Sequence, residues 1–311
     1  VRRFAVTLLL SDWLKTACSE VDALDARLLA QHVLGISRAE LICRPETGID
    51  PTRQEILDRL LARRAQGEPL AYLVGEARFR ARTFKITPDV LVPRPETEEL
   101  VGHAINKLSE SLVPVANVLD LGCGSGVIAI SIALECPQAK VTGVDSSITA
   151  LAVARANAAT LAAPVEFFES DWFSALAGRR FHLIVANPPY IAADDHNLAG
   201  DGLLFEPRLA LTDEGDGLSC LRAIIHAAPC HLESGGYFLC EHGHEQGEAV
   251  RLLLADAGFI KVESWLDLSG NERFSGGKVA QCAELEEASE NFRQEALASW
   301  QARPCLPKTL P

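Results

Sequence analysis

An apolar run, Val118-Leu119-Asp120-Leu121, enters the turn Gly122-Cys123-Gly124-Ser125-Gly126, and a second apolar run leaves it from Val127 to Cys136. No other feature constrains the fold as tightly. The first run reads as a strand at 117–121 and the second as a helix over 126–136, apolar nearly all round and so buried. Downstream the pattern keeps alternating. Strands are expected at 140–145, 164–169, 181–186, 236–241 and 259–264, with a last one near Lys278 to Ala283. Helices are expected at 147–160, 216–233 and 245–257. This order predicts an α/β, doubly wound, largely parallel sheet covered by helices on both faces.

Ligands of such sheets sit at the carboxyl ends of the strands. The glycine turn, Asp145, Asp171-Trp172 and Asn187 all fall there. Glycines let the backbone turn tightly and approach a ligand, with the N–H groups of the following helix facing it. Asp145 ends the second strand, roughly 20 residues after the turn, where an acid can accept hydrogen bonds from both ribose hydroxyls. It can also cap the helix that follows, through Asp145-Ser146-Ser147. Gly-x-Gly-x-Gly is not the Gly-x-Gly-x-x-Gly dinucleotide fingerprint, and no Gly-Lys-Ser/Thr phosphate loop occurs. The spacing favours S-adenosyl-L-methionine. Trp172 reads either as a wall beside the adenine or as core packing.

The run Phe181 to Ala186 ends on Asn187-Pro188-Pro189-Tyr190. Proline has no N–H and a fixed φ, so two prolines stiffen the turn and leave its carbonyls free to accept. The Asn187 side-chain oxygen carries two lone pairs. Together these acceptors suit a planar –NH2 group, and Tyr190 can lie flat against it. The pattern describes a site that holds an amide or amino nitrogen still while a group is transferred to it.

Composition narrows the class. A chain of 311 residues with 48% apolar and 23% charged residues has ample core. A formal charge of −13 argues against a surface built to grip phosphate backbones. Nine scattered cysteines without Cys-x-x-Cys pairs fit a reducing, cytoplasmic interior better than a disulfide framework or a zinc site. Cys123 reads as a small tolerated side chain. His231, His242, His244 and Glu245 match no zinc spacing, so no metal is expected. No stretch is expected to span a membrane: Arg2-Arg3 before Phe4 to Leu10 faintly resembles a leader, but Ser11-Asp12 and Lys15 cut it short.

The N-terminal part is helical in pattern. Helices are expected at Phe4 to Ala17, at Asp22 to Leu34 with Leu24, Leu28, Leu29 and Val33 on one face, at Ser37 to Cys43, and from Asp50-Pro51 to Gly67. Arg78 to Thr87 with Val90 to Val92 suggests a β-hairpin. Pro93-Arg94-Pro95-Glu96-Thr97-Glu98 enters a helix reaching about Leu108, where Arg94 and Glu96 cap and charge its start.

The blocks Leu28 to Gly35, Gly67 to Gly75, Leu91 to Glu98, the glycine turn, Asn187 to Ile191, Phe205 to Arg208, Glu241 to Gly243 and Asp267 to Arg273 together resemble the release-factor glutamine methyltransferase family. The resemblance runs from about Leu8 to Cys282. It implies a seven-stranded Rossmann-like methyltransferase sheet preceded by a small helical bundle and a linking β-hairpin. The corresponding segments are 1–72 (substrate-protein-binding helices), 73–95 (hairpin linker), 96–283 (methyltransferase domain) and 284–311 (tail). It further implies transfer of methyl from S-adenosyl-L-methionine to the glutamine of the Gly-Gly-Gln motif in class I peptide chain release factors. By the same resemblance Gly122, Cys123, Gly124, Ser125, Gly126, Asp145, Trp172 and Asn187 contact the cofactor. Asn187, Pro188, Pro189 and Tyr190 hold the glutamine, with Asn187, Pro188 and Tyr190 catalytic. The Arg94–Glu96 segment lies beside the substrate in the family.

Two positions depart from the family pattern. His182 stands where an aspartate is usual, which bears on support of the catalytic strand. Arg80-Ala81 replaces an aromatic-glycine pair, which bears on the lip of the substrate pocket. A glutamine methyltransferase acting on a ribosomal protein would share this active site. An adenine-N6 nucleic-acid methyltransferase would use the same acceptors, but must extract its base and bind phosphates; the acidic balance and the lack of a basic target-reading domain weigh against it. A non-catalytic cofactor-binding scaffold is disfavoured because the motif is intact.

Overall fold

The computed structural model describes residues 8–111, 113–200 and 202–281. Among the described residues, Leu8–Leu9 (β1) comes first and pairs antiparallel with Gly48–Ile49 (β2). Four helices follow: Leu10–Ala17 (α1), Ala23–Leu34 (α2), Arg38–Cys43 (α3) and Pro51–Ala65 (α4). Their boundaries are written in the sequence. Asp22 accepts from the Leu24 N–H at 2.7 Å to start α2, and Gly35, at φ 67°, ends it. Ser37 and Glu40 form a reciprocal capping box on α3. Asp50 caps α4, with Pro51 in its first turn. Trp13 Nε1 donates to Asp58 at 2.9 Å, and Arg64 pairs with Asp25 at 2.6 Å, tying the bundle together. A short helix the pattern did not reveal, Leu70–Val74 (α5), adds Leu73 to the bundle's core.

Two expectations here are corrected. The first helix starts at Leu10, not Phe4: the Leu10 and Ser11 N–H groups donate to the Thr47 and Pro45 carbonyls, so the 45–47 loop caps it. Phe4 to Thr7 lie outside the described residues. The buried face of α2 is Ala26, Leu29, Ala30 and Leu34, while Leu24 is exposed. With apolar residues on several sides of α2, packing against α4 and α5 selects the stripe.

The hairpin is Glu76–Phe79 (β3) with Arg82–Lys85 (β4), and Val90 to Val92 form no strand. Its two-residue tip has left-handed backbone at Arg80 (φ 45°) and Ala81 (φ 60°), which explains why glycine suits this place. The cost is offset by an ionic lock. Arg80 donates to Glu135 through Nε and Nη2, and Arg82 through Nη1 at 2.7 Å. The Arg80 N–H and Nη1 reach Glu98 as well. The tip therefore grips the body of the fold and lines neither cavity described below, contrary to the expected place at a pocket lip.

The remaining elements are Pro95–Glu110 (α6), Asn117–Leu121 (β5), Val127–Glu135 (α7), Lys140–Asp145 (β6), Ile148–Leu161 (α8), Val165–Glu169 (β7) and Phe181–Ala186 (β8). Three 3-10 turns come next, at His196–Ala199, Leu203–Phe205 and Arg208–Ala210. Ser219–His231 (α9), Leu232–Glu241 (β9), Gly247–Asp256 (α10), Ile260–Leu266 (β10) and Glu272–Lys278 (β11) complete the order. The seven-stranded sheet runs β10-β11-β9-β8-β5-β6-β7. Strands β7, β6, β5, β8 and β9 are parallel, and β11 joins β9 and β10 antiparallel.

Period-two alternation sorts the core. Val118, Leu183, Val185 and Leu239 face α6, α7 and α8. Leu119, Leu121, Ile184, Ala186 and Phe238 face α9 and α10. The helices α1 to α5 keep a separate core around Leu10, Leu29 and Leu57. Tyr72 crosses between them: it packs with the sheet's core and donates its hydroxyl to the Val90 carbonyl at 2.7 Å. Gly202 meets the bundle so closely that a Cβ there would lie 2.8 Å from the Gly67 carbonyl.

The last strand among the described residues is Glu272–Lys278, ahead of the expected Lys278 to Ala283. Gly276 and Gly277 sit in the ladder, where nothing larger fits. A Cβ would lie 2.5 Å from the Phe238 carbonyl at 276 and 2.9 Å from Phe259 at 277. Cys282 and Ala283 lie outside the described residues, as does the tail. Strand β9 likewise starts at Leu232, directly after α9.

The lock at Glu135 sets a stability test. Hydrogen bonds from Arg80, and then from Arg82, hold this carboxyl at about 2, below its ordinary 4.5. A lowered carboxylate stabilises the fold above its unfolded value and loses that contribution as pH falls through the folded one. Glu135→Gln should cost about 1–2 kcal/mol in urea unfolding at pH 7. The gap to wild type should close between about pH 4.5 and pH 2; a gap constant across that window would separate the effect from this ion cluster.

Candidate active site

Leu121 pairs with both Val144 and Ala186, so β5, β6 and β8 end side by side. The loops that leave them share one edge of the sheet. In the first, Gly122, Gly124 and Gly126 all have left-handed backbone (φ 69°, 53° and 82°). At 126 a Cβ would meet Ile130 at 3.0 Å and both Ala154 and Phe167 at 3.2 Å, so glycine alone lets α7 begin this close to its neighbours.

Asp145 braces the turn. Its Oδ2 accepts from the Gly124 N–H and its Oδ1 from the Ser147 N–H, each at 2.8 Å. The cap of α8 is Ser147, which accepts from the Ala150 N–H at 3.2 Å. Each Asp145 oxygen keeps lone-pair capacity toward the cavity that it lines. Trp172 also has left-handed backbone (φ 46°), its carbonyl held by the Ser170 hydroxyl at 2.8 Å. The Trp172 ring covers Gly122 so closely that a Cβ at 122 would lie 3.4 Å from it.

Gly122, Gly124, Asp145, Trp172, Asn187 and Pro189 line one cavity of about 360 Å3. This is within the range of small-molecule sites. A backbone edge without side chains, an acceptor carboxylate and an aromatic wall fit S-adenosyl-L-methionine. Cys123, Ser125 and Gly126 do not line it. They build the turn beneath: the Cys123 N–H donates to the Val144 carbonyl and the Gly126 N–H to the Cys123 carbonyl. Asn157 Nδ2 donates to the Ser125 carbonyl at 2.9 Å.

A second cavity of about 500 Å3 is lined by Pro188, Tyr190, Arg94, Gln246 and Arg273. Leu91, Asn187 and Ala210 line both cavities, which makes Asn187 part of the wall between them. A larger groove of about 910 Å3 lies at the amino ends of the strands, beside Asn117, Lys140 and Phe181, and holds none of the expected site residues.

Behind Asn187 stands a chain of hydrogen bonds that sequence reading missed. Asn187 Nδ2 donates to Thr97 Oγ1 at 3.2 Å, and Thr97 Oγ1 donates to Glu241 Oε2 at 2.8 Å. The Tyr190 hydroxyl donates to Glu241 Oε1 at 3.0 Å. Among the described residues the Asn187 side-chain oxygen has no protein partner. Glu241 is fully buried, and burial raises its carboxyl while Thr97, Tyr190 and Arg273 oppose the rise. Burial also raises the Tyr190 hydroxyl, with Glu241 adding to it. The Tyr190 carbonyl accepts from Gln246 Nε2 at 2.9 Å, which pins the motif's far end.

Glu206 does the same for the opposite wall. Its side chain is 1% exposed, accepts from the Val92 N–H at 2.9 Å and pairs with Arg94 at 2.5 Å. Arg94 thus both starts α6 and lines the second cavity, while Glu96 sits in the first turn of α6. His182 supports β8 directly, its Nδ1 accepting from the Asn117 N–H at 3.0 Å. The histidines do not converge. His231 stacks on Phe173, His242 is buried against Ser275, and His244 pairs with Glu245. Among the described residues no group of His, Cys, Asp and Glu could hold a metal ion.

Cys123 is buried, and burial followed by repulsion from Asp120 and Asp145 raises its thiol well above the ordinary value. Burial raises the Cys240 thiol too. Brief iodoacetamide treatment of the folded protein at pH 7.5 should therefore label the exposed Cys18, Cys43 and Cys230 and spare Cys123, Cys136 and Cys240. Peptide mapping reads the outcome, and rapid labelling of Cys123 would contradict the packing described.

Comparison with known proteins agrees with this geometry. The family models "Methyltransferase small domain" and "PrmC N-terminal domain" match residues 103–219 and 9–75. A release factor glutamine methyltransferase of Bordetella pertussis is 51% identical over 255 residues, 82% of this chain and 94% of that protein. Its counterpart in Burkholderia pseudomallei is 50% identical over 84% of this chain and 93% of its own length. The Escherichia coli protein of the same name is 40% identical over 86% and 98%. With identity this high along nearly the whole of each relative, the chain belongs to the release factor glutamine methyltransferase family.

Proposed function

We propose that this protein methylates the side-chain amide nitrogen of the glutamine in the Gly-Gly-Gln motif of class I release factors, with S-adenosyl-L-methionine as donor. One observation carries the reading: Asn187 belongs to both cavities, and its side-chain oxygen lacks a protein partner among the described residues. The cofactor supplies a methyl group on a sulfonium, a good leaving group. The difficulty lies with the nucleophile, since an amide nitrogen shares its lone pair with its carbonyl.

Asn187 Oδ1 and the Pro188 carbonyl accept the two amide hydrogens and fix the nitrogen facing the first cavity. Held there, the nitrogen is oriented for in-line attack, and the acceptors stabilise the positive charge that develops on it. Tyr190 acts as a wall rather than a base, because its hydroxyl is spent on Glu241. The proton leaves after transfer. Gly122, Gly124, Asp145 and Trp172 hold the donor.

The formal charge of −13 favours a protein substrate over a nucleic acid, and a cytoplasmic setting follows from the proposed partner. No helix among the described residues is long and apolar enough to cross a membrane. We assign residues 1–72 to docking the release factor, 73–95 to the link, 96–283 to catalysis and 284–311 to a tail.

Asn187→Ala should lower kcat by about 10²–10³-fold in a tritiated-methyl assay on purified release factor. Cofactor affinity should stay within about tenfold by calorimetry. Near-full turnover with unchanged cofactor binding would rule the mechanism out. The bundle's exposed Leu24 and Ile42 are 59% and 64% accessible. Replacing both with glutamate should raise KM for intact release factor about tenfold while leaving a Gly-Gly-Gln peptide unaffected. An unchanged KM on the intact factor would remove these positions from the docking surface.

A further inference from the structure

We infer that Thr97 and Glu241 are positioning residues that lock the Asn187 carboxamide with its oxygen toward the substrate. The inference rests on the reading of Asn187 given above and extends it to two residues that touch neither substrate nor cofactor. A carboxylate can only accept. Glu241 takes one hydrogen from Thr97 and one from Tyr190, at 2.8 and 3.0 Å. The single hydroxyl hydrogen of Thr97 is thereby used, and its oxygen can only accept from Asn187. Asn187 must then present its NH2 to Thr97, at 3.2 Å, and its oxygen to the cleft.

A flipped Asn187 would aim two hydrogens at a substrate group that itself has two hydrogens to donate. The buried carboxylate therefore sets the polarity of the acceptor two hydrogen bonds away. The same chain polarises Asn187: each bond shifts electron density from acceptor to donor, from Glu241 through Thr97 into the Asn187 amide, strengthening its oxygen as an acceptor. Fold geometry supports the assignment. Thr97 and Glu241 are 3% and 1% exposed. They come from the first turn of α6 and the carboxyl end of β9, so two separate elements meet behind this one side chain. Arg273, next to Phe274, which pairs with Glu241 across the ladder, supplies a compensating positive charge.

The test uses the full chain with purified class I release factor and tritiated S-adenosyl-L-methionine. Thr97→Val keeps the shape and removes the hydroxyl. It should lower kcat about 10–100-fold, with KM and cofactor Kd within about threefold. Thr97→Ser, which keeps the hydroxyl, should return to within about threefold of wild type. Glu241→Gln can donate to Thr97 and release the Thr97 hydrogen toward Asn187, reversing the chain; it should lower kcat to a similar degree. In an Asn187→Ala background Thr97→Val should add less than about twofold, because there is no longer a carboxamide to orient.

Wild-type kcat in Thr97→Val, failure of serine to rescue, or full additivity with Asn187→Ala would each overturn the relay. If Thr97→Val does not fold, Glu241→Gln with unaltered kcat overturns it alone. Failure of the underlying reading looks different: Asn187→Ala itself would keep its turnover. Loss in Asn187→Ala with full activity in Thr97→Val sinks only the relay.

Discussion

Parallel pairing of β5 with β6 on one side and β8 on the other is the constraint from which the site follows. Residues far apart in sequence, Gly122, Asp145 and Asn187, leave adjacent strands at the same level because Leu121 is in register with Val144 and with Ala186. A parallel sheet needs helical crossovers, and those crossovers bury both of its faces. The burial explains why α7 can be apolar nearly all round and why Gly126 and Gly143 cannot carry side chains: a Cβ at 143 would sit 2.6 Å from Phe167. Packing, backbone conformation and the placing of the cleft residues are thus settled by one arrangement.

Chemistry at the edge is divided between two kinds of support. The side proposed for the cofactor is built from backbone, with Asp145 stitching the glycine turn to the start of α8. The side proposed for the substrate is backed by buried side chains, with Glu241 behind the motif and Glu206 behind the facing wall. Both glutamates are almost fully buried and each is met by two donors, as a buried charge requires. Their removal would leave those donors unpaired, so the walls they hold are rigid rather than adaptable.

The parts of this design that are local in sequence could be read directly. Caps at Asp22, Ser37 and Asp50, the glycine turn and the Asn-Pro-Pro-Tyr corner each carry their own signal within a few residues. What depends on distant partners could not be read. Thr97 and Glu241 meet across 144 positions, and neither looks unusual in its own segment. The glycines of β11 have no explanation in their own segment until the Phe238 carbonyl and the Phe259 side chain that exclude larger residues are placed beside them. The exposed Leu24 has the same cause, since a helix with several apolar sides is oriented by its neighbours and not by its own periodicity. Arg80-Ala81 is the reverse case: a pair ill-suited to left-handed backbone is retained through an ion cluster with Glu135, far along the chain.

The near-contact between Gly202 and the Gly67 carbonyl, together with the Tyr72 strut to Val90, makes the helical bundle and the cleft one stiff frame. A partner gripped at one end of such a frame meets the other end at a fixed span. If the bundle docks the release factor as proposed, selectivity is gauged by length: a glutamine gains from that grip only when it projects the right distance from the docked surface. A free side chain of identical chemistry, lacking that offset, gains nothing from the grip.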